Sequence, residues 1–233
     1  MFRQLFDAPS STYTYLLADD AAHQAVVIDP VLENVGRDVA LLAGAGLTLR
    51  YVLDTHVHAD HVTGAQALKQ ATGAITCVCG DCGTWGYDRE LQHGDCVEFG
   101  GERLSVIGTP GHTPGSVCFL WRDALFTGDT LLIGGCGRTD FQHGDAGELY
   151  DSITRRLFTL DDATLVYPGH DYHGRASSTI GEEKRGNPRL AGRDRAQFIQ
   201  VMASLALPLP SRIHEAVPAN LAGGVPVTAS PGS

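Results

Sequence analysis

Four loops that carry histidine or aspartate limit what this chain can fold into more than any other feature of its sequence. The first is THVHADH at residues 55–61, and the others place His112, Asp129 and His170 beside glycine. Each loop lies at the end of a predicted strand. A lone histidine is more often a packed or surface residue than a ligand, but four such loops in order at strand ends are typical of a metal site. We therefore expect ligands from distant parts of the chain to meet at one centre.

The first loop alone offers more than one set of ligands. In an extended segment His56, His58 and Asp60 point to one side, because side chains alternate, whereas His61 points to the other. Neutral imidazole and carboxylate are ligands that iron, zinc and manganese accept. One short loop can therefore serve two adjacent metal positions, and the residues alone leave open how many are filled.

Apolar runs and helical periodicity predict an α+β chain. Strands are predicted at 13–18, 24–28, 51–53, 74–78, 103–107, 117–121, 124–126 and 164–167, and helices at 33–42, 62–71, 147–160 and 195–207. Strands that alternate with helices, then follow one another, then alternate again indicate mixed sheets with helices outside. We expect one catalytic domain over residues 1–207. The proline-rich tail at 208–233 is expected to pack on that domain and to be mobile at its end.

Composition excludes several classes of partner. Seventeen basic and 27 acidic residues give the 233-residue chain a net charge of −10, which disfavours binding to nucleic acid and to anionic membranes. No apolar run is long enough to span a bilayer, and the first residues do not resemble a signal peptide. Six cysteines are too few for a disulfide scaffold, so we expect reduced thiols and a cytoplasmic location.

The pattern H-x-H-x-D-H, followed by a distal histidine, an aspartate and a final histidine, resembles the metallo-β-lactamase superfamily. The resemblance covers residues 13–170. It implies an αββα sandwich of two mixed sheets with helices outside, and a metal site at one edge between the sheets. Because this superfamily hosts hydrolases, oxidoreductases and oxygenases, the fold does not decide the reaction.

Further segments resemble the persulfide dioxygenases, also called sulfur dioxygenases. They include FRQLFD at 2–7, GCGRTDF at 135–141, HDYHG at 170–174 and NPRL at 187–190. The resemblance implies that glutathione persulfide is oxidised by O₂ to sulfite and glutathione, in sulfide detoxification. It also implies one Fe(II) per chain, held by His56, His112 and Asp129, and a homodimer. Ferrous iron on two histidines and one carboxylate can change redox state, whereas zinc cannot.

The same resemblance assigns roles to the residues around the metal. Four residues are expected to steer its ligands or polarise the site without binding it: His58, Asp60, His61 and His170. Arg138 and Arg189 would bind the carboxylates of glutathione, and Tyr172 would donate its hydroxyl next to the metal.

Two other functions remain open at this level. The chain keeps every ligand that a glyoxalase II-like thioester hydrolase with two metals needs, in which Asp129 would bridge the ions. A non-catalytic sulfur carrier is disfavoured by the intact ligand set. A zinc site built from Cys77, Cys79 and Cys82 is also disfavoured, because their spacing is irregular and inert buried thiols are commoner. The remaining histidines are predicted to be non-ligands: His23, His93, His143, His173 and His214.

Overall fold

Two mixed sheets of six strands each pack face to face in the computed structural model, which describes residues 1–225. The first sheet contains, in spatial order, β1 (Phe2–Asp7), β2 (Thr12–Asp19), β3 (Gln24–Ile28), β4 (Thr48–Leu53), β5 (Ile75–Cys79) and β6 (Arg89–Leu91). Its first three strands are antiparallel, and β3 to β6 run parallel.

The second sheet contains β7 (Cys96–Phe99), β8 (Glu102–Gly108), β9 (Val117–Trp121), β10 (Ala124–Gly128), β11 (Leu165–Pro168) and β12 (Ser178–Thr179). Its pairs are antiparallel except for β10 with β11. The helices are α1 (Val35–Gly44), α2 (Ala65–Thr72), α3 (Ala146–Ser152), α4 (Ile180–Gly186), α5 (Arg195–Ala203) and α6 (Ile213–Leu221).

The main core lies between the sheets. Tyr15 and Ile28 from the first sheet and Phe119 and Phe126 from the second are almost completely buried there. Because successive side chains of a strand point to opposite faces, the alternate residues of both sheets face outward and need a second cover. That cover is helical on both sides.

Helices close each outer face. Leu42 of α1 and Leu68 of α2 pack on the first sheet, and Leu149 of α3 and Phe198 of α5 pack on the second. The predicted α+β class and the αββα sandwich are therefore confirmed.

Two predicted helices are longer than the structure has them. The helix predicted at 147–160 ends its α-helical part at Ser152 and continues as a π-helical turn over Ile153–Leu157. The helix predicted to reach residue 207 ends at Ala203, and Ser204 caps it with backbone bonds to the preceding turn. The segment after Ser204 is irregular, and its residues 207–211 form a wall of the site described below.

The tail contains a helix that its sequence pattern did not indicate. Helix α6 includes Pro218, a residue that removes one backbone hydrogen bond and usually ends a helix, which is why periodicity did not predict it. Ala216 and Ala219 of α6 pack against Val62. The mobility predicted for the last residues concerns positions 226–233, which lie outside the described residues.

All six cysteines are within the described chain, and each is a free thiol. None of the helices in residues 1–225 is long and apolar enough to cross a membrane.

Candidate metal centre

The four predicted loops meet at one edge of the sandwich. The 55–61 loop follows β4 of the first sheet, whereas His112, Asp129 and His170 follow β8, β10 and β11 of the second. Close approach between the loops depends on glycine at Gly128, where a Cβ atom would lie 2.4 Å from Thr55 Oγ1 and the backbone has a φ of +48°. The backbone of the loop that carries Asp129 thus packs directly against the side chain of Thr55 in the first loop.

His56, His112 and Asp129 form a three-residue group. Their nearest ligand atoms all lie within 4.8 Å of one another. The imidazole rings of His56 and His112 are 4.8 Å apart and nearly perpendicular, and His112 Nε2 lies 3.7 Å from Asp129 Oδ2. Two imidazoles and one carboxylate arranged around a common point fit a divalent metal ion of the first transition row.

Hydrogen bonds to Nδ1 fix the tautomers of both histidines. Thr55 Oγ1 donates to Asp29, so it must accept from His56 Nδ1, at 2.9 Å. The backbone oxygen of Arg138 accepts from His112 Nδ1 at 2.7 Å. In a neutral ring with this Nδ1–H the lone pair lies on Nε2, and neither Nε2 has a hydrogen-bond partner within residues 1–225. This is how metal-binding histidines are oriented by their neighbours.

Burial favours the neutral form of His56. Loss of solvent around the ring, together with the nearby His58 and His112, holds the pKa of His56 well below its usual range. A neutral imidazole is the form that binds a metal, so His56 is already in its metal-binding form at neutral pH.

His170 lies between two carboxylates and donates to both. Its Nδ1 is 2.6 Å from Asp129 Oδ1, and its Nε2 is 3.0 Å from Asp60 Oδ2. Burial opposes a charge here, but Asp129 and Asp60 outweigh it and raise the pKa of His170 well above its usual value. Because both nitrogens donate in this arrangement, neither offers a lone pair to a metal.

The His170 contact also determines which oxygen of Asp129 is available. Oδ1 accepts from His170, whereas Oδ2 faces His112. Burial disfavours the charge of Asp129, but His170, His112 and His56 outweigh it and lower the pKa of this carboxyl. Asp129 is consequently an ionised ligand with one oxygen free.

A second group consists of His58, Asp60 and His61, whose nearest ligand atoms also lie within 4.8 Å of one another. One oxygen of its carboxylate is already engaged, since Asp60 Oδ2 accepts from Thr12, His61 and His170. The Nδ1 of His58 and the Nε2 of His61 are buried without a hydrogen-bond partner in the part of the chain described.

His58 is hydrogen-bonded to Asp29, a carboxylate that the sequence pattern did not lead us to predict. Its Nε2 donates to Asp29 Oδ1 at 3.1 Å, and Asp29 also accepts from the backbone and hydroxyl of Thr55. Burial lowers the pKa of His58, but Asp29 and other carboxylates outweigh it and raise the pKa to about 9. Asp29 follows strand β3, so the end-of-strand rule that found Asp129 could have found it too.

A cavity of about 510 Å³ opens in front of the three-residue group. Arg138, Arg189 and Tyr172 line it, as does the irregular segment 207–211. This volume falls within the range of small-molecule sites. The structure therefore brings the predicted metal and substrate residues to one cavity.

The two arginines differ in how strongly the protein already holds them. Arg138 pairs with Asp140, with a 2.6 Å bond from Nε, and donates to the backbone oxygens of Leu207 and Pro208. Arg189 donates through Nη1 to the backbone oxygen of Cys136. Nε and Nη2 of Arg189 have no partner among residues 1–225, so its guanidinium has more donors free.

Tyr172 is exposed at the rim of the cavity. Its ring stacks on His170, with centroids 6.1 Å apart and an interplanar angle of 7°. Its hydroxyl has no hydrogen-bond partner within the described chain.

Other residues considered from the sequence lie outside the centre. No metal-binding group of residues 1–225 contains a cysteine, and Cys82 donates to the backbone oxygen of Gly115. The histidines predicted to be non-ligands likewise join no such group in these residues.

Comparison with known proteins places the chain in a family. The profile of the metallo-beta-lactamase superfamily matches residues 7–170. The mouse (Mus musculus) protein named "Persulfide dioxygenase ETHE1, mitochondrial" is 47% identical over 97% of this chain and 89% of its own length. The crystal structure of ETHE1 from Myxococcus xanthus matches with a TM-score of 0.94 and 55% identity, covering 96% of this chain and 99% of that one.

A hydroxyacylglutathione hydrolase from Rhodospirillum rubrum is 40% identical, but over only 70% of this chain and 63% of its own length. The similarity to the hydrolase is therefore less complete than the similarity to the dioxygenases.

The Thr55 hydroxyl should control metal affinity through the tautomer of His56. Thr55→Val keeps the shape of the side chain but removes the acceptor for His56 Nδ1, and we expect it to weaken metal binding about tenfold or more. Thr55→Ser keeps the oxygen and should bind metal like the wild type. Competition with a chelator measures both affinities, and equal affinities for the two variants would contradict this role.

Proposed function

The chain belongs to the metallo-β-lactamase superfamily and, within it, to the persulfide dioxygenases, and we propose that it oxidises glutathione persulfide at a single Fe(II) site. The overall reaction consumes the persulfide, O₂ and water, and it yields glutathione, sulfite and two protons. The outer sulfur of the persulfide is oxidised and O₂ is reduced. All three sulfite oxygens are thereby accounted for, two from O₂ and one from water.

His56, His112 and Asp129 would hold the iron. Ferrous iron can change redox state and supplies the electron transfer that reaction of a persulfide with O₂ requires. The protein contributes two imidazoles whose Nδ1 atoms are held by hydrogen bonds, and one carboxylate with one free oxygen. Three protein ligands leave positions for small molecules, which supports a reaction of two substrates at one face.

The observation that carries the proposal of one metal is the position of His170. A two-metal hydrolase needs this residue as a ligand, but here both of its nitrogens donate to carboxylates. A second ion would have to displace His170 from Asp60 and Asp129, and would meet an Asp60 oxygen, Oδ2, that already accepts three hydrogen bonds. Asp60 and Asp129 raise the pKa of His170, and its charged form would offset part of the carboxylate charge that a second ion would otherwise neutralise.

Arg138 and Arg189 would bind the glutathione carboxylates. The chain carries a net charge of −10, so an anionic substrate needs local positive charge, and these arginines provide it at the cavity. Arg138 has one N–H left from the five of a guanidinium, because its bonds to Asp140, Leu207 and Pro208 use four. Arg189 is the stronger candidate for a bidentate contact.

Tyr172 lines the same cavity and its ring stacks on His170, so its hydroxyl could contact a substrate sulfur or a water molecule.

A role in sulfide detoxification, the homodimer and the cytoplasmic location stay predictions from the sequence.

Oxygen uptake tests the proposed reaction directly. Iron-loaded protein should consume O₂ when glutathione persulfide is added, with sulfite appearing in equal amount. An electrode measures the O₂, and ion chromatography measures the sulfite. No uptake by protein with confirmed iron would overturn the proposal and favour thioester hydrolysis, which S-lactoylglutathione then tests.

Asp129 and His170 should differ in their effect on iron. Asp129→Ala removes a ligand and should lose both iron and activity, whereas His170→Ala should retain about one iron per chain and appreciable dioxygenase activity. Elemental analysis of both purified variants measures the iron content. The one-metal site is wrong if His170→Ala loses iron as completely as Asp129→Ala.

Arg138→Gln should raise KM for glutathione persulfide about tenfold or more, because it removes a charged contact to the substrate. Iron content should stay near that of the wild type. Arg185→Gln is the matched control, since Arg185 pairs with Asp162 away from the cavity and should leave KM unchanged. Steady-state O₂ uptake gives both constants, and a wild-type KM for Arg138→Gln would remove this residue from the substrate site.

A further inference from the structure

Asn220 of helix α6 contacts the first metal-binding loop through its whole amide group. Its Nδ2 donates to the backbone oxygens of His58 and His61, each at 2.8 Å. Its Oδ1 accepts from the backbone N–H of Thr63, also at 2.8 Å. The side chain is fully buried. Two donors and one acceptor of a planar amide are thus matched to three backbone groups of one loop.

These three backbone groups depend on Asn220 alone. Within residues 1–225, the oxygens of His58 and His61 and the N–H of Thr63 have no other hydrogen-bond partner. Buried backbone groups are almost always paired, because an unpaired one loses its bonds to water without replacement. Without Asn220 the loop would have to change its path to satisfy them.

Helix α6 is anchored independently of the loop's side chains. The backbone oxygen of Leu221 accepts from Trp85 N at 2.9 Å, and that of Gly223 accepts from Gln66 N at 3.1 Å. At Gly224, where φ is +90°, a Cβ atom would lie 2.1 Å from the backbone oxygen of Thr63. The segment that follows α6 is therefore packed against the backbone of Thr63 at a distance that only glycine permits.

We propose that Asn220 is a positioning residue of the metal centre. It holds the backbone from residue 58 to residue 63 and thereby directs the adjacent His56, although it contributes no ligand itself. This inference rests on the proposed metal site at His56, His112 and Asp129, and it does not depend on which reaction occurs there.

Two variants separate the hydrogen bonds from the packing. Asn220→Asp has the same shape and keeps an acceptor for Thr63 N, but it cannot donate to the two backbone oxygens. Asn220→Ala removes all three bonds. We expect either variant to weaken the binding of Co(II), used as the probe metal, by about 10–100-fold.

Leu42→Ala is the matched control for lost stability. Leu42 is buried in α1 on the outer face of the first sheet, so the variant should unfold at a lower temperature yet bind Co(II) like the wild type. Chelator competition gives the affinities, the Co(II) visible absorption reports the ligand geometry, and thermal unfolding reports stability. Wild-type Co(II) affinity in Asn220→Asp would overturn the inference and leave Asn220 with a merely structural role.

Hydrogen exchange on the unmodified full chain decides the matter if the Asn220 variants do not fold. Coupling between two sites is reciprocal, so Co(II) should slow exchange in α6 while leaving α1 unchanged. Unchanged exchange in α6 would overturn the inference. Failure of the wild type to bind Co(II) at all would instead remove the metal centre, and this role of Asn220 with it.

Discussion

The candidate metal centre depends on the pairing of carboxylates with imidazoles at one edge of the sandwich. Asp29 is buried, and Asp60 and Asp129 are half-buried at the edge of the sandwich, where an unpaired charge is unfavourable. Each is matched to a histidine: Asp29 to His58, and Asp60 and Asp129 jointly to His170. These pairs raise the pKa values of His58 and His170 above the usual value for histidine. The division between residues free to bind a metal and residues already bound to a carboxylate follows from this pairing.

The two sheets contribute differently to this edge. The first sheet supplies a continuous loop with several polar side chains. Its backbone is hydrogen-bonded to Asp29 at Thr55 and to Asn220 of α6 at His58. The second supplies isolated residues at separate strand ends, each presented by a tight turn. A metal bound by His56, His112 and Asp129 would therefore join the sheets, and its affinity would report how well they are packed at this edge.

Much of the fold and of the ligand set could be predicted, because both have local signatures. Strand alternation predicted an α+β chain with mixed sheets, and the order of histidine and aspartate at strand ends predicted a metal centre. The sandwich and the choice of His56, His112 and Asp129 followed from the resemblance to known families. Helix α6 could not be predicted, since Pro218 masks its pattern and its burial comes from docking. The bonds of His170 to two carboxylates are contacts across 41 and 110 residues, and no local pattern encodes such distances. Sequence therefore named the members of the cluster except Asp29, whereas only tertiary structure shows which of them already form hydrogen bonds with one another.

The support of the first loop by Asn220 has a consequence for the order of events during synthesis. His58 and Asn220 are 162 residues apart in the chain, so the ribosome makes the loop long before it makes the side chain that satisfies it. At roughly 5–20 residues per second the delay is about 8–30 s. Throughout that interval the three backbone groups lack the partner that the folded chain gives them. From the proposed role of Asn220 we expect the loop to reach its final path, and the centre its full metal affinity, only after the C-terminal helix has emerged and docked.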